Sequence, residues 1–262
     1  MSISTASRPP LAPLVAEATF IKRSLIHTLR TPDVIVMAIA LPVILMLLFT
    51  FVFGGAIEGD GSYVNYVVPG IILLCAGFGA ASVATDVAND MTTGIIDRFR
   101  TMPLRASAVI TGHVVASLLR NLVATLVVIG VAVAVGFRPT AGIAEWALML
   151  GLVAVYILAI TYLFAGIGLA ASSPEAAGGY GFILMFLPYI SSAFVPVDTM
   201  PDWLQWVARH QPLTPIIETI RGLLLGTEVG DSWWLAVLWC LAILAVAIVW
   251  TAVVFRAKAG RR

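Results

Sequence analysis

The sequence predicts an all-α polytopic membrane protein with six transmembrane helices, an N-terminal interfacial amphipathic helix and an extracellular re-entrant helical hairpin between spans five and six. Three observations lead there. Of 262 residues, 60% are hydrophobic and only 11% charged, whereas soluble domains are roughly half apolar and a quarter charged. Uncharged runs recur at about the twenty residues that a helix needs to cross a hydrocarbon core about 30 Å thick. Lys and Arg cluster in the segments between alternate runs, as they do on the cytoplasmic side of membrane proteins.

Residues 1–33 read as a cytoplasmic N-terminus. Leu14, Ala18, Ile21, Leu25 and Leu29 recur at helical spacing and share one face, with Glu17, Lys22 and Arg23 elsewhere. That pattern describes a helix in the membrane interface, ending before Pro32, which either anchors the first span or docks a partner. The polar stretch ahead of the first run, and the five runs after it, argue against a cleaved signal peptide.

A single membrane domain follows over residues 34–255. Its runs cover Val34 to Phe53, Tyr63 to Thr85, Ala106 to Gly136, Trp146 to Ala171, Ala176 to Val197 and Trp233 to Phe255. A bilayer interior offers no water to backbone groups, so each run is expected as a helix bonding its own backbone. Pro42, Pro69 and Pro188 then mark kinks. Arg8, Lys22, Arg23, Arg30, Arg98, Arg100 and Arg105 share one side with the tail at 256–262, which carries Arg256, Lys258, Arg261 and Arg262. The opposite side holds Arg138, Arg209 and Arg221 among many acidic residues. Both termini are therefore expected in the cytoplasm, with a bacterial cytoplasmic (inner) membrane as the setting.

Two connections are more than linkers. The segment 86–105 is polar but carries Ile95, Ile96 and Phe99 as an apolar ridge among Asp97, Arg98 and Arg100. A short helix of that kind suits a groove on a soluble partner, or is a solvated loop with a membrane-facing ridge. The segment 198–226 predicts two short helices. One, entered through Met200-Pro201, carries Trp203, Trp206 and Arg209. The other starts at Thr214-Pro215, carries Ile216, Ile217, Glu218, Ile220, Arg221, Leu223 and Leu224, and ends near Gly226. Neither is long enough to cross, so the pair either dips into the outer leaflet or lies flat with its tryptophans in the interface.

Two stretches resemble a known family, the ABC-2 type permeases, in particular the daunorubicin/doxorubicin-resistance permease group of drug exporters. One is Asn89-Asp-Met-Thr-Thr-Gly-Ile-Ile-Asp-Arg-Phe-Arg-Thr-Met-Pro103. The other runs from Phe194-Val-Pro-Val-Asp-Thr-Met-Pro-Asp-Trp-Leu204 through Gln211-Pro-Leu-Thr-Pro215 to Glu218-Thr-Ile-Arg-Gly-Leu-Leu-Leu-Gly226. With the six runs, the resemblance covers essentially the whole chain. It implies that Asp90, Gly94, Ile95, Ile96, Asp97, Arg98, Phe99 and Arg100 belong to a coupling helix pressed against an ATP-binding subunit. It implies too that two such permease subunits, with two ATPase copies, enclose a path for amphiphilic drugs or lipid-like molecules moving outward. Polysaccharide or polymer export is the nearest alternative within the superfamily, and a non-transporting scaffold a further one.

Read on its own residues, the chain has no G-x-x-x-x-G-K-[ST] phosphate loop, because neither Lys22 nor Lys258 sits in that setting. ATP and Mg are therefore expected on a separate polypeptide, with no cofactor, metal or catalytic group here. Net charge is +1, so nucleic acid is not an expected partner. Arg120 is the clear ionisable residue inside an apolar run, where insertion costs about 2.5–3.5 kcal/mol. It is expected either to snorkel toward the cytoplasm or to face the transport path, with Asp86 as one candidate partner. Cys75 and Cys240 lie in apolar runs and read as small hydrophobes. His27, His113 and His210 show no ligand spacing. Ser117 and His113, four apart, are the nearest approach to a nucleophile and base, with no acidic orienting partner apparent.

Overall fold

The computed structural model describes residues 32–57, 63–93 and 107–259, and among them every regular element is helical. The expected interfacial helix thus lies almost wholly outside the described residues, as do Gly94 through Arg105 of the expected coupling loop.

Helix α1 spans Pro32–Leu48 and continues through a π-turn, Phe49–Phe53, and a last α-turn, Gly54–Ile57. Helix α2 is Tyr63–Thr92, α3 Ser107–Val135 and α4 Ile143–Ala170. A short helix α5, Pro174–Leu184, leads through 3₁₀ turns at Leu187–Ile190 and Val197–Thr199 into α6, Asp202–His210, and α7, Leu213–Leu225. Helix α8, Ser232–Ala259, completes the described chain. Four helices, α2, α3, α4 and α8, are long and apolar enough to cross a membrane, and α1 adds the shorter apolar stretch Ala38–Phe53.

Helix α2 is the centre of the bundle. It packs against α1, α3, α4, α5 and α7, and Ile71, Ile72, Leu73, Cys75 and Ala76 are fully enclosed. Small residues permit this: a side chain at Gly79 would collide with Asn121 of α3. The outermost helix, α8, leans on α4 and exposes Val237, Leu238, Leu241, Val246, Val249 and Val253. An apolar surface of that extent is stable against lipid, not water.

The bundle has two distinguishable ends. At one, the Arg138 N–H donates to Asn65 Oδ1 and the Thr140 N–H to the Leu224 carbonyl. That end therefore gathers the start of α2, the α3–α4 turn and α7. At the other, His113 Nε2 meets Asp90 Oδ2 at 2.9 Å, and Lys258 Nζ donates to the Ala171 carbonyl at 3.1 Å. This end gathers the close of α2, the start of α3, the α4–α5 turn and the close of α8.

The structure corrects two expectations. The polar segment from residue 86 is not a loop at its start, because α2 runs on to Thr92. Its apolar face explains this: Val83 and Val87 pack with Ile110, Val114, Ala165 and Leu169 in a small second core. The run 176–197 is not one self-bonded helix either, because α5 stops at Leu184. Its start is well made, with Ser173 Oγ accepting the Ala176 N–H and Pro174 in the first turn. Pro188 then lacks the N–H that a continuing helix would direct to the Leu184 carbonyl, and the chain leaves regular structure beyond Ile190. Pro42 and Pro69, by contrast, stay inside α1 and α2.

Candidate functional site

Broken backbone inside an apolar bundle needs donors for its carbonyls, and three side chains from other elements supply them. Gln211 Nε2 donates to the Ile190 carbonyl at 2.7 Å, Arg221 Nη2 to the Ser192 carbonyl at 2.7 Å, and Tyr63 Oη to the Phe194 carbonyl at 2.7 Å. Arg221 also reaches the Tyr66 carbonyl at 3.1 Å, and its guanidinium lies 3.9 Å from the Tyr66 ring centroid. Burial pushes the Arg221 guanidinium below its ordinary value, and Tyr66 and Glu218 push it back toward the charged form. Ala193 sits against Gly70 of α2 so closely that a Cβ there would overlap it. Phe194 stacks between Phe49 and Tyr189, with centroids 4.1 and 5.1 Å away. The segment 190–194 is thus held by α1, α2 and α7 at once.

The two-helix hairpin supports this clamp. Helix α7 buries Ile216, Ile217, Ile220 and Leu224, and Gly226 ends it at φ +70°, donating back to the Gly222 carbonyl. Thr214 Oγ1 donates to the Ala208 carbonyl across the turn between α6 and α7. Glu218 accepts from Ser232 Oγ at 3.1 Å. Arg209 pairs with Asp198 on the surface, while Trp203 and Trp206 are exposed and Trp206 stacks on His210. Behind the break lies an apolar cavity of about 90 Å³, with Leu74, Phe78, Tyr156, Phe164, Pro188 and Leu213 among its walls.

A second polar cluster joins α2, α3 and α4. Arg120 Nη2 donates to the Gly79 carbonyl at 3.0 Å and to Ser82 Oγ at 2.7 Å, with Asp86 one turn farther acting electrostatically on it. Arg120 is thus tied to the neighbouring helix. Next to it Asn121 Nδ2 donates to Ser117 Oγ at 3.0 Å, and Ser117 Oγ lies 3.4 Å from Thr161 Oγ1 on α4. Asn121, Thr125 and Thr161 are fully buried. Asn121 Oδ1 has no N–H or O–H partner and is pressed on the Cα of Gly79.

Asp90, expected at the coupling loop, is buried at the last turn of α2 and faces His113. His113 therefore has an acidic partner after all. Ser117, however, is engaged by Asn121 and Thr161, so no nucleophile–base arrangement forms. Gly94, Ile95, Ile96, Asp97, Arg98, Phe99 and Arg100 fall outside the described residues. Among the described residues no three or more His, Cys, Asp or Glu gather to hold a metal. Sequence reasoning singled out Arg120, Arg221 and Glu218, and missed Tyr63, Gln211 and Asn121. The available signal for these was one polar side chain at an edge or middle of an apolar run.

These features define a multi-pass helical membrane protein whose polar side chains serve helix–helix contacts and one break in a helix. The chain belongs to the ABC-2 type transporter family, whose description matches residues 17–225, and it is a transport permease of that family. It is 27% identical over 249 residues to the daunorubicin resistance ABC transporter permease protein DrrB1 of Streptomyces coeruleorubidus, covering 94% of this chain and 87% of the relative. It is 26% identical over 221 residues to a probable doxorubicin resistance ABC transporter permease protein, DrrC, of Mycobacterium tuberculosis, covering 84% and 80%.

Proposed function

We propose that this chain is the membrane-spanning subunit of an ATP-driven exporter that moves amphiphilic drug or lipid-like molecules outward. The observation that carries the reading is similarity along most of the chain to permeases named for daunorubicin and doxorubicin resistance. The lining of the cavity behind the helix break is apolar, the chemistry such cargo needs, although at about 90 Å³ the cavity is too small to be its site. In this reading the domain at 34–255 crosses the membrane six times, α1 making the first crossing. The fifth is made by α5 and the clamped segment beyond it, and α6 and α7 form a re-entrant hairpin on the outer face. Both termini lie in the cytoplasm of a bacterial cell.

ATP and Mg are held by a partner ABC ATP-binding subunit, two copies against a pair of permeases. That partner docks on the loop from Asp90 to Arg105, whose Ile95, Ile96 and Phe99 enter a groove on it. The part-buried Asp90–His113 pair, which ties α2 to α3 at the root of the loop, makes both helices move with it.

The experiment is co-expression with a neighbouring ATP-binding subunit, purification and reconstitution in proteoliposomes. Amphiphilic cations are expected to stimulate ATP hydrolysis, and cysteines placed at Phe99 are expected to cross-link the two subunits. If no ATP-binding subunit co-purifies or cross-links, the exporter reading fails. If hydrolysis responds to polymer precursors and not to amphiphiles, the cargo assignment fails.

A further inference from the structure

Helix α4 ends at Ala170, the chain turns through Ala171 to Ser173 and α5 sets off again, while α8 packs along α4. Between them lies a groove of about 620 Å³ that opens to the surroundings of the bundle. Ile167 and Ala170 of α4, Tyr180, Ile183 and Leu184 of α5 and Trp250 of α8 line it, together with Ala171 and Ser172 of the turn. Trp250 stands in place because Gly166 of α4 offers it a flat face; a side chain at that glycine would overlap the indole.

The groove's lining is apolar apart from Ser172 and the Tyr180 hydroxyl, so its chemistry suits a hydrocarbon chain.

The turn after α4 carries a cation in position to act. Lys258 Nζ is held there by the Ala171 carbonyl at 3.1 Å and the Ala170 carbonyl at 3.5 Å, both at the end of α4. An ammonium has three donors, so one remains for a ligand. Arg256, two residues before Lys258, is exposed, and the sequence continues to Arg261 and Arg262. The Glu175 carboxylate, in the first turn of α5, is turned onto its own backbone and Ser173.

We propose that the groove between α4, α5 and α8 is a binding site for an anionic phospholipid. One acyl chain lies along Tyr180, Ile183, Leu184 and Trp250, and the phosphate sits at Lys258. The lipid comes from the leaflet at the Lys258 end of the bundle, and its occupancy is a property of this chain alone, independent of what is transported.

Trp250 is the reporter. The other six tryptophans, at 146, 203, 206, 233, 234 and 239, are replaced by Phe in the full chain, which is reconstituted in phosphatidylcholine vesicles. Either brominated phosphatidylglycerol or brominated phosphatidylcholine is included at one-tenth of the lipid. Quenching of Trp250 by the anionic lipid is expected to exceed that by the zwitterionic lipid about threefold. Lys258→Gln, which keeps a donor to Ala171 but removes the charge, is expected to abolish the difference. Equal quenching by the two lipids in the parent means an ordinary lipid annulus and overturns the proposal. No quenching by either means the groove is covered by protein, a second copy or residues 1–31, and overturns it too. Native mass spectrometry of the wild-type chain needs no tryptophan replacement. One phosphatidylglycerol is expected to survive detergent exchange, and to be lost in Ile183→Trp, whose indole projects into the groove. Retention of that lipid by Ile183→Trp would place it elsewhere.

Discussion

Removing the Arg221 guanidinium leaves the Ser192 carbonyl without its donor and takes a cation off the Tyr66 ring, while the Tyr66 carbonyl keeps its place in the α2 helix. An orphaned buried acceptor costs about 1–3 kcal/mol, and the lost cation–ring contact adds to it. Arg221→Met is therefore expected to lower the unfolding midpoint in detergent by more than Tyr63→Phe, which orphans only the Phe194 carbonyl at about 1–3 kcal/mol. Thermal unfolding of the two variants side by side checks the order, and Arg221→Lys, which retains donors, is expected to fall between them. The polar seam gives a sharper test at a single atom. In Gly79→Ala the added methyl would lie 1.4 Å from Asn121 Oδ1, an impossible approach, so α2 and α3 must part or Asn121 must leave. Asn121→Ala in the same chain makes the room. The double variant is expected to be more stable than Gly79→Ala alone, a coupling of about 0.5–3 kcal/mol in a mutant cycle; additive effects would mean that the contact is not what excludes a side chain at 79. Arg120 and Arg221 were visible in the sequence because a charge among apolar residues is rare and costly. Their partners were not, because backbone carbonyls of Gly79, Tyr66 and Ser192 leave no mark on a sequence. Tyr63, Gln211 and Asn121 are common residue types whose importance lies only in what they touch.

At the scale of elements, the long helices were legible because length and hydropathy decide them, and α3, α4 and α8 begin and end within four residues of their apolar runs. The departures have two causes, apolar packing against a neighbouring helix for one and hydrogen bonds between elements for the other. Helix α2 outruns its apolar stretch because Val87 and Ala88 still have a surface to pack against. The fifth run stops being a helix because Pro188 opens it and Gln211, Arg221 and Tyr63 make the opened form stable. Neither the clamp nor its location could be read from a twenty-residue apolar window. The hairpin was legible, since Pro201, Pro215 and Gly226 punctuate it, and α7 does close on Gly226 in the left-handed region. Gly226→Ala is expected to cost about 1–2 kcal/mol from that conformation alone, more because Thr140 Oγ1 lies 3.2 Å from the new methyl. Gly230→Ala is also at positive φ but has open space around it. A smaller loss there, measured by the same unfolding assay, would separate the contact from the backbone term.

At the scale of the whole molecule, the described residues sort into two ends, and the placement of Arg and Lys in the sequence assigns a side to each. The proposed six crossings require that every connection at one end be outside and every connection at the other inside. This is testable with little background, because both native cysteines, Cys75 and Cys240, are fully buried. Ile143, 92% exposed at the start of α4, and Asp231, ahead of α8, mark the first end. Thr92, closing α2, and Ser172, between α4 and α5, mark the second. Single cysteines at these four positions are treated with a membrane-impermeant maleimide in intact cells, then again after permeabilisation. Those at 143 and 231 are expected to react at once, and those at 92 and 172 only after permeabilisation. The opposite pattern would invert the orientation and put the α6–α7 hairpin in the cytoplasm, where it would compete with an ATPase for the same side. Immediate reaction at 172 as well as at 231 would mean that α5 and the clamped segment do not cross. The clamp would then be a cap on a bundle of fewer spans, and the fifth crossing, the one that no single long helix makes, would have to be given up.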